Sequence, residues 1–254
     1  ELDMAVQYYK ERALPHLIPF PKKKLPQTTE PLIEGTEIWD VGDSLEKINW
    51  IESIIRNPIV IPGLTTLENV YGQVQGSEPK TEPVDLDIYV DSSGSMPDPK
   101  NSVSYLTLAA AIICLSALRA GSAVQATLWS GTKQFVCTNG FVRDEKKILR
   151  IVTDFFGGAT AFPIHVLRET YEKRKPTERK VHILVISDEG VDTILIKDEK
   201  HNIGSAIARM ALEKAGGGGT FVLNLYQEWK KYEALEKCHK IGFDIHRVTD
   251  WSGL

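Results

Sequence analysis

VDLDIYVDSSGSM, residues 84–96, is the stretch on which the fold turns. Its first seven residues read as a strand. The chain then breaks into Asp91, three serines (Ser92, Ser93, Ser95) and Gly94, and Pro97 and Pro99 follow at once. Ligands of open α/β sheets bind beyond the carboxyl ends of the strands. A strand that ends on so many small oxygen-bearing side chains therefore raises a question of chemistry.

Toward the C-terminus the same kind of strand recurs. Apolar runs AVQATLW (123–129), KVHILVI (180–186), TFVLNLY (220–226) and FDIHRV (243–248) alternate with helical patterns near 101–119, 144–156, 163–174, 203–215 and 229–241. KQFVCT (133–138) follows AVQATLW across SGT, a hairpin-type connection. This alternation predicts an α/β fold, a doubly wound and mostly parallel sheet with one antiparallel edge strand and helices on both faces. The apolar segment LTLAAAIICLSAL (106–118) is shorter than the ~18 residues a bilayer span needs, and it reads as a helix buried nearly all round. Gly216 to Gly219 read mostly as a helix-to-strand connection.

Before residue 84 the character differs. Pro15, Pro19, Pro21, Pro26 and Pro31 punctuate a stretch with little periodicity and favour an extended path. In WDVGDSLEKINWIESIIRNP, Asp43 or Ser44 can cap a helix with Leu45, Ile48, Trp50, Ile51, Ile54 and Ile55 on one side, and Pro58 stops it. PIVIPG and ENVYGQVQG are short extended pieces. The expected organisation is a proline-rich N-terminal extension, 1–83, packing on a main domain, 84–254, because one helix is too little for a core of its own.

Composition narrows the function classes. Thirty basic against thirty-four acidic residues give a net charge of −4 and no concentrated basic face for nucleic acid. Three widely spaced cysteines, Cys114, Cys137 and Cys238, do not suggest a disulfide framework, so a cytoplasmic protein is expected. The first residues lack the apolar core of a signal peptide. The chain does not open on methionine, as a piece of a longer protein would not.

Two later loops belong with the opening one. In FFGGATAFP, Thr160 follows two glycines that allow close backbone approach. In VHILVISDEGVD, Asp188 stands at the carboxyl end of another predicted strand. Asp91, Ser93, Ser95, Thr160 and Asp188 offer two carboxylates and three hydroxyls, with neither His nor Cys. Such a set suits a hard divalent cation; magnesium is held by one or two carboxylates and keeps several waters. Hydroxyl ligands leave the ion electrophilic toward an incoming carboxylate.

The order D-x-S-x-S, then a threonine after Gly-Gly, then S-D-x-G (Ser187, Asp188, Gly190) resembles the metal-ion-dependent adhesion site (MIDAS) of von Willebrand factor A (vWA) domains. The resemblance covers residues 84–250. It implies the doubly wound fold with one antiparallel strand. It also implies Mg²⁺, with Mn²⁺ or Ca²⁺ as substitutes, held by Asp91, Ser93, Ser95, Thr160 and Asp188. The serines would ligate directly, and the threonine and aspartates directly or through water, with a partner protein's Glu or Asp completing the shell. Glu189, between Asp188 and Gly190, is a departure; it or Asp192 could add negative charge near the ion. DSSGSM together with HLIPFP and the 39–63 stretch resembles bacterial and archaeal intracellular members, which work beside MoxR-type AAA+ ATPases in chaperone-like or assembly systems.

Enzyme signatures are weak. G-x-S-x-G and G-x-x-x-x-G-K-[ST] do not occur. SLEK (44–47) fits S-x-x-K but opens the predicted amphipathic helix. Cys238-His239 with His246 lacks a second cysteine pair at zinc-finger spacing. The expected function is a metal-dependent protein-interaction module and not an enzyme, with no nucleic acid or membrane as partner. The alternatives are a Mg²⁺-dependent hydrolase using the same ligands, with Glu189 as its only nearby base, and a structural subunit with a relic site.

Overall fold

The protein is described by a computed structural model covering residues 1–24, 29–75, 81–175 and 178–249. The chain divides into two compact units, one formed by Glu1–Lys22 with Pro83–Leu254 and the other by Lys23–Glu82. The expected single boundary near residue 84 therefore does not hold for the first 22 residues. They form a helix, α1 (Leu2–Ala13), whose Ala5, Val6, Tyr9 and Ala13 are buried in the core of the first unit.

The first unit is built on a six-stranded sheet. Its strands are β1 (Asp85–Asp91), β2 (Val124–Trp129), β3 (Phe135–Cys137), β4 (Val181–Asp188), β5 (Gly216–Asn224) and β6 (Phe243–Val248). Their spatial order is β6-β5-β4-β1-β2-β3. Every pairing is parallel except β2 with β3, where Thr127 faces Cys137 and Trp129 faces Phe135. This is the doubly wound α/β architecture expected, with the hairpin strand antiparallel at one edge. Strand order reverses between β1 and β4, which makes their carboxyl ends the switch point of the sheet.

All seven residues of β1 are buried, and the two-residue strand period sends them alternately to two layers. Leu86, Ile88 and Val90 join the core beneath α1, α2 (Tyr105–Arg119) and α3 (Glu145–Val152). Tyr89 joins the opposite core, beneath α4 (Ile164–Glu172), α5 (Gly204–Ala215) and α6 (Glu233–Ile241). Asp87, on the same side as Tyr89, is fully buried. It accepts hydrogen bonds from the Tyr89 hydroxyl (3.2 Å), the Tyr171 hydroxyl of α4 (3.0 Å) and Gln125 Nε2 of β2 (3.2 Å). Burial raises its carboxyl pKa to about 7, against the pull of those three hydrogen bonds.

The glycine run differs from its expected reading. Gly216 does cap α5 in the left-handed region (φ 62°), but Gly216–Gly219 already belong to β5. A β-carbon on Gly217 would lie 2.1 Å from the Val181 carbonyl oxygen, so β5 can enter beside β4 only with glycine there.

The second unit holds more than one helix. Thr29–Ile38 pairs antiparallel with Leu67–Gln75, with an irregularity between Ile33 and Gly35. The helix is shorter than its apolar pattern suggested, Trp50–Arg56. Asn49 caps it in place of Asp43 or Ser44, its Oδ1 accepting from the Glu52 N–H at 3.0 Å. Leu45–Lys47 is a separate 3₁₀ turn. Ser53 pins the helix to the strand by accepting from the Leu67 N–H at 2.8 Å, while Ile51, Ile54 and Ile55 are exposed. Pro26 lies outside the described residues. Among the described residues, no helix is long and apolar enough to cross a membrane.

Candidate metal centre

Asp91 is the last residue of β1 and Asp188 the last of β4. The two strands are neighbours, so both carboxylates stand at the switch point. Beyond Asp91 the backbone turns: the Met96 N–H donates to the Ser93 carbonyl at 2.9 Å, and the buried Met96 side chain anchors the loop in the core.

The second loop lies against the first. The Gly94 N–H donates to the Gly158 carbonyl at 2.8 Å, and the Gly157 N–H donates to the Ser92 carbonyl at 2.9 Å. Ser130, directly after β2, holds the same loop: its hydroxyl donates to the Ala159 carbonyl and accepts from the Gly158 N–H, both at 3.0 Å. Thr160 follows. A β-carbon on Gly190 would lie 2.5 Å from Thr160 Cγ2 and 3.1 Å from Asp188 Oδ1. The missing side chain at Gly190 is what lets Thr160 and Asp188 close on the same space.

Hydrogen bonds then join the cluster. Asp91 Oδ1 accepts from the Ser93 N–H at 2.8 Å, and its Oδ2 accepts from the Ser187 hydroxyl at 2.6 Å. The Ser93 and Ser95 hydroxyls are 3.1 Å apart, and the Ser95 hydroxyl donates to Asp188 Oδ2 at 2.7 Å. Asp188 Oδ1 accepts from the Gly190 N–H at 2.9 Å. Asp91, Ser93, Ser95 and Asp188 are thus joined in one hydrogen-bonded cluster, with Thr160 beside Asp188 across Gly190. Asp91 and Ser93 are buried, Thr160 and Asp188 half-buried and Ser95 exposed, so the cluster opens to solvent on the side of the last three.

Burial pushes the Asp91 carboxyl pKa up. The hydrogen bonds from Ser187 and Ser93 pull it back, and the Asp188 charge pushes it further up. Two carboxylates facing one small space are a liability that a cation removes. The oxygen spacings, those of ordinary O–H···O hydrogen bonds, are also compatible with one. Adjacent oxygens around Mg²⁺, at ~2.0–2.1 Å from the ion, lie about 2.9 Å apart, close to the 3.1 Å and 2.7 Å of Ser93–Ser95 and Ser95–Asp188. No group of three or more His, Cys, Asp and Glu side chains is found among the described residues. The donor set is thus hydroxyl-rich rather than an acid cage, as magnesium's preference for few carboxylates allows.

Two positioning serines are not among the ligands expected from sequence. Ser187 lies within the S-D-x-G motif, and its neighbour drew the attention. Ser130 gave only the faint signal of a serine directly after a buried strand. The side chain of Glu189 lies outside the described residues. Asp192 is exposed, on the 3₁₀ turn Glu189–Leu195 that follows β4. His239 Nδ1–H donates to the Phe243 carbonyl at 3.1 Å, and Cys238 is buried with its pKa pushed up to about 12, so this pair is built into the fold around α6.

No protein family matches the chain, and no curated protein matches it significantly. Solved structures do. An aerotolerance-related membrane protein from Bacteroides fragilis is 18% identical with a TM-score of 0.40, covering 67% of this chain and 94% of its own. BatB from Bacteroides thetaiotaomicron is 16% identical with a TM-score of 0.37, over 65% and 90% of the two chains. The SpRpn10 VWA domain is 13% identical with a TM-score of 0.42, over 65% and 87%. Likenesses at this level carry no argument about function, and the fold itself is given by the strand order: an α/β chain whose central sheet, mostly parallel and doubly wound, carries an all-oxygen cluster at its switch point.

Proposed function

We propose that the first unit is a divalent-cation-dependent protein-interaction module. Asp91, Ser93, Ser95, Thr160 and Asp188 would hold Mg²⁺ as a metal-ion-dependent adhesion site of vWA type, and a glutamate or aspartate of a partner protein would complete the shell. The observation that carries this reading is the chain of oxygens from Ser93 through Ser95 to Asp188, spaced at 3.1 Å and 2.7 Å and opening to solvent. A bound ion supplies a fixed positive charge to a carboxylate that leaves water, which otherwise loses its hydration without return. This chain's residues do the rest. Ser187 and the Ser93 N–H fix the Asp91 carboxylate, Ser95 and Gly190 fix that of Asp188, and the 157–160 loop sets Thr160 beside them. Both oxygens of Asp91 already accept hydrogen bonds, which favours binding over a role as general base. A MoxR-type AAA+ ATPase, within a chaperone or assembly system, is the partner to which the motif resemblance points.

Calorimetric titration with Mg²⁺ tests the reading directly. Binding to the wild-type chain that vanishes in Asp188→Ala, with an unchanged circular dichroism spectrum, is the expected result. Equal Mg²⁺ affinity in the two proteins would overturn it.

A further inference from the structure

A groove of about 570 Å³ opens beside the candidate metal centre and shares Thr160 with it. That volume lies within the range of sites that enclose a ligand group. Phe162 and Ile164, both buried, form its floor, while half-buried Phe135 and Ile196, 61% exposed, stand at its sides. Lys133, at the tip of the β2–β3 hairpin, and Lys197 also line it. Both are exposed, and neither forms an ion pair among the described residues. The acids on the same lining, Asp198 and Glu199, lie 2.6 Å from Arg168 Nε and Nη2, a guanidinium that Glu169 and Glu172 also approach at 3.7 and 3.6 Å. An apolar trough with two uncommitted cations therefore runs on from a cluster of oxygens that would hold a third.

We propose that this groove is the second half of the recognition surface. It takes an apolar side chain one to three residues along from the metal-ligating carboxylate, on the same extended partner segment, and a further acidic residue of that segment meets Lys133 or Lys197. The proposal rests on the metal-dependent reading above. The spacing follows from the chain: an extended segment advances about 3.3–3.6 Å per residue, and the groove begins at Thr160 itself. The need for it follows from specificity. Acidic side chains are common on protein surfaces, so a carboxylate on a metal selects poorly by itself. An apolar anchor in a desolvated pocket adds affinity, and complementary rim charges exclude wrong partners.

The test is an array of peptides with one fixed glutamate and randomised neighbours, probed with the full chain in Mg²⁺ and in EDTA. The best peptides are then measured in solution by fluorescence anisotropy against Ile196→Asp and against Lys133→Glu with Lys197→Glu. The expected result is Mg²⁺-dependent binders enriched in leucine, isoleucine or phenylalanine within three positions of the glutamate, with a second acid nearby. Each variant should weaken them about tenfold, and the lysine variant should also flatten the salt dependence. Mg²⁺ affinity should stay unchanged in both variants, because neither touches the five oxygen-bearing residues. Mg²⁺-dependent binders with random neighbours and no response to the variants would overturn the groove and leave the metal reading standing. Binding that ignores EDTA, or no binding by any peptide, would overturn both.

Discussion

Asp87 and Asp91 sit four residues apart on the same strand, on the same side of the sheet, and both are buried. One is sealed by two tyrosines and a glutamine in the interior. The other stands at the strand end, where its neighbours are serines and a second carboxylate. Every partner of Asp87 is a donor in a closed space, so its oxygens are already satisfied and no ion is called for, while burial raises its pKa against the pull of those donors. Asp91 and Asp188 converge at a mouth open to solvent, where a cation can reach them. Burial alone therefore does not mark a functional carboxylate; convergence of unneutralised oxygens at an opening does.

The largest effect expected concerns the interior site. Asp87 has a folded-state pKa of about 7 against an ordinary 3.8. Between those values the folded chain keeps a proton that the unfolded chain has released, so stability falls as pH rises through that window and is level above it. The full cost is at most about 4 kcal/mol at 1.36 kcal/mol per pKa unit. Asp87→Asn should gain on the wild type steadily from pH 4 to 7 in urea unfolding. A difference that does not change with pH would show that Asp87 ionises freely in the fold. The corresponding change at the mouth, Asp91→Asn, should leave the metal-free protein as stable as the wild type or more so, yet lower Mg²⁺ affinity about 100-fold. Parallel melts in EDTA and in excess Mg²⁺ separate the two effects. The wild type should gain about 3 kcal/mol at 100 times the dissociation constant, and the variant little.

Smaller effects refine the contrast. Tyr9 accepts from the Ser104 N–H at 2.8 Å and donates to the Ser102 carbonyl at 3.2 Å, just before α2 begins. Tyr9→Phe strands a buried N–H and should cost about 1–2 kcal/mol, with Mg²⁺ affinity altered by less than about threefold, since it supports the loop only from behind. Gly190→Ala should do the reverse. Its β-carbon meets the Thr160 methyl, which must shift, so Mg²⁺ binding should weaken about fivefold, or about 1 kcal/mol, while the melting temperature barely moves.

Much of this was legible in the sequence where physics is local. The strand of residues 84–90 and its oxygen-rich end read correctly because alternation and strand-end chemistry both act within a few residues. The three loops could be matched because a motif fixed their order. The Asp87–Tyr171 contact spans 84 residues, and no local pattern announces it. Helix α1 is hard to read because its buried residues, Ala5, Val6, Tyr9 and Ala13, are few beside the charged ones, and the prolines that follow favour an extended path. Asn49 caps the helix although the apolar run begins earlier, at Leu45, because Leu45–Lys47 forms a turn of its own. The glycine run reads as connection because it lies where a helix ends and a strand begins. Here the approach of Val181 demands glycine within the strand.

The packing of α1 carries a consequence in time. Its buried face rests in a core shared with α2 and α3, and α3 ends at Val152. Ribosomes add roughly 5–20 residues per second, so the helix waits on the order of ten seconds between its own synthesis and that of its last neighbour. During that interval Val6, Tyr9 and Ala13 face water or whatever else the emerging chain meets. A helix made well before its neighbours thus finds its place only once they have followed it.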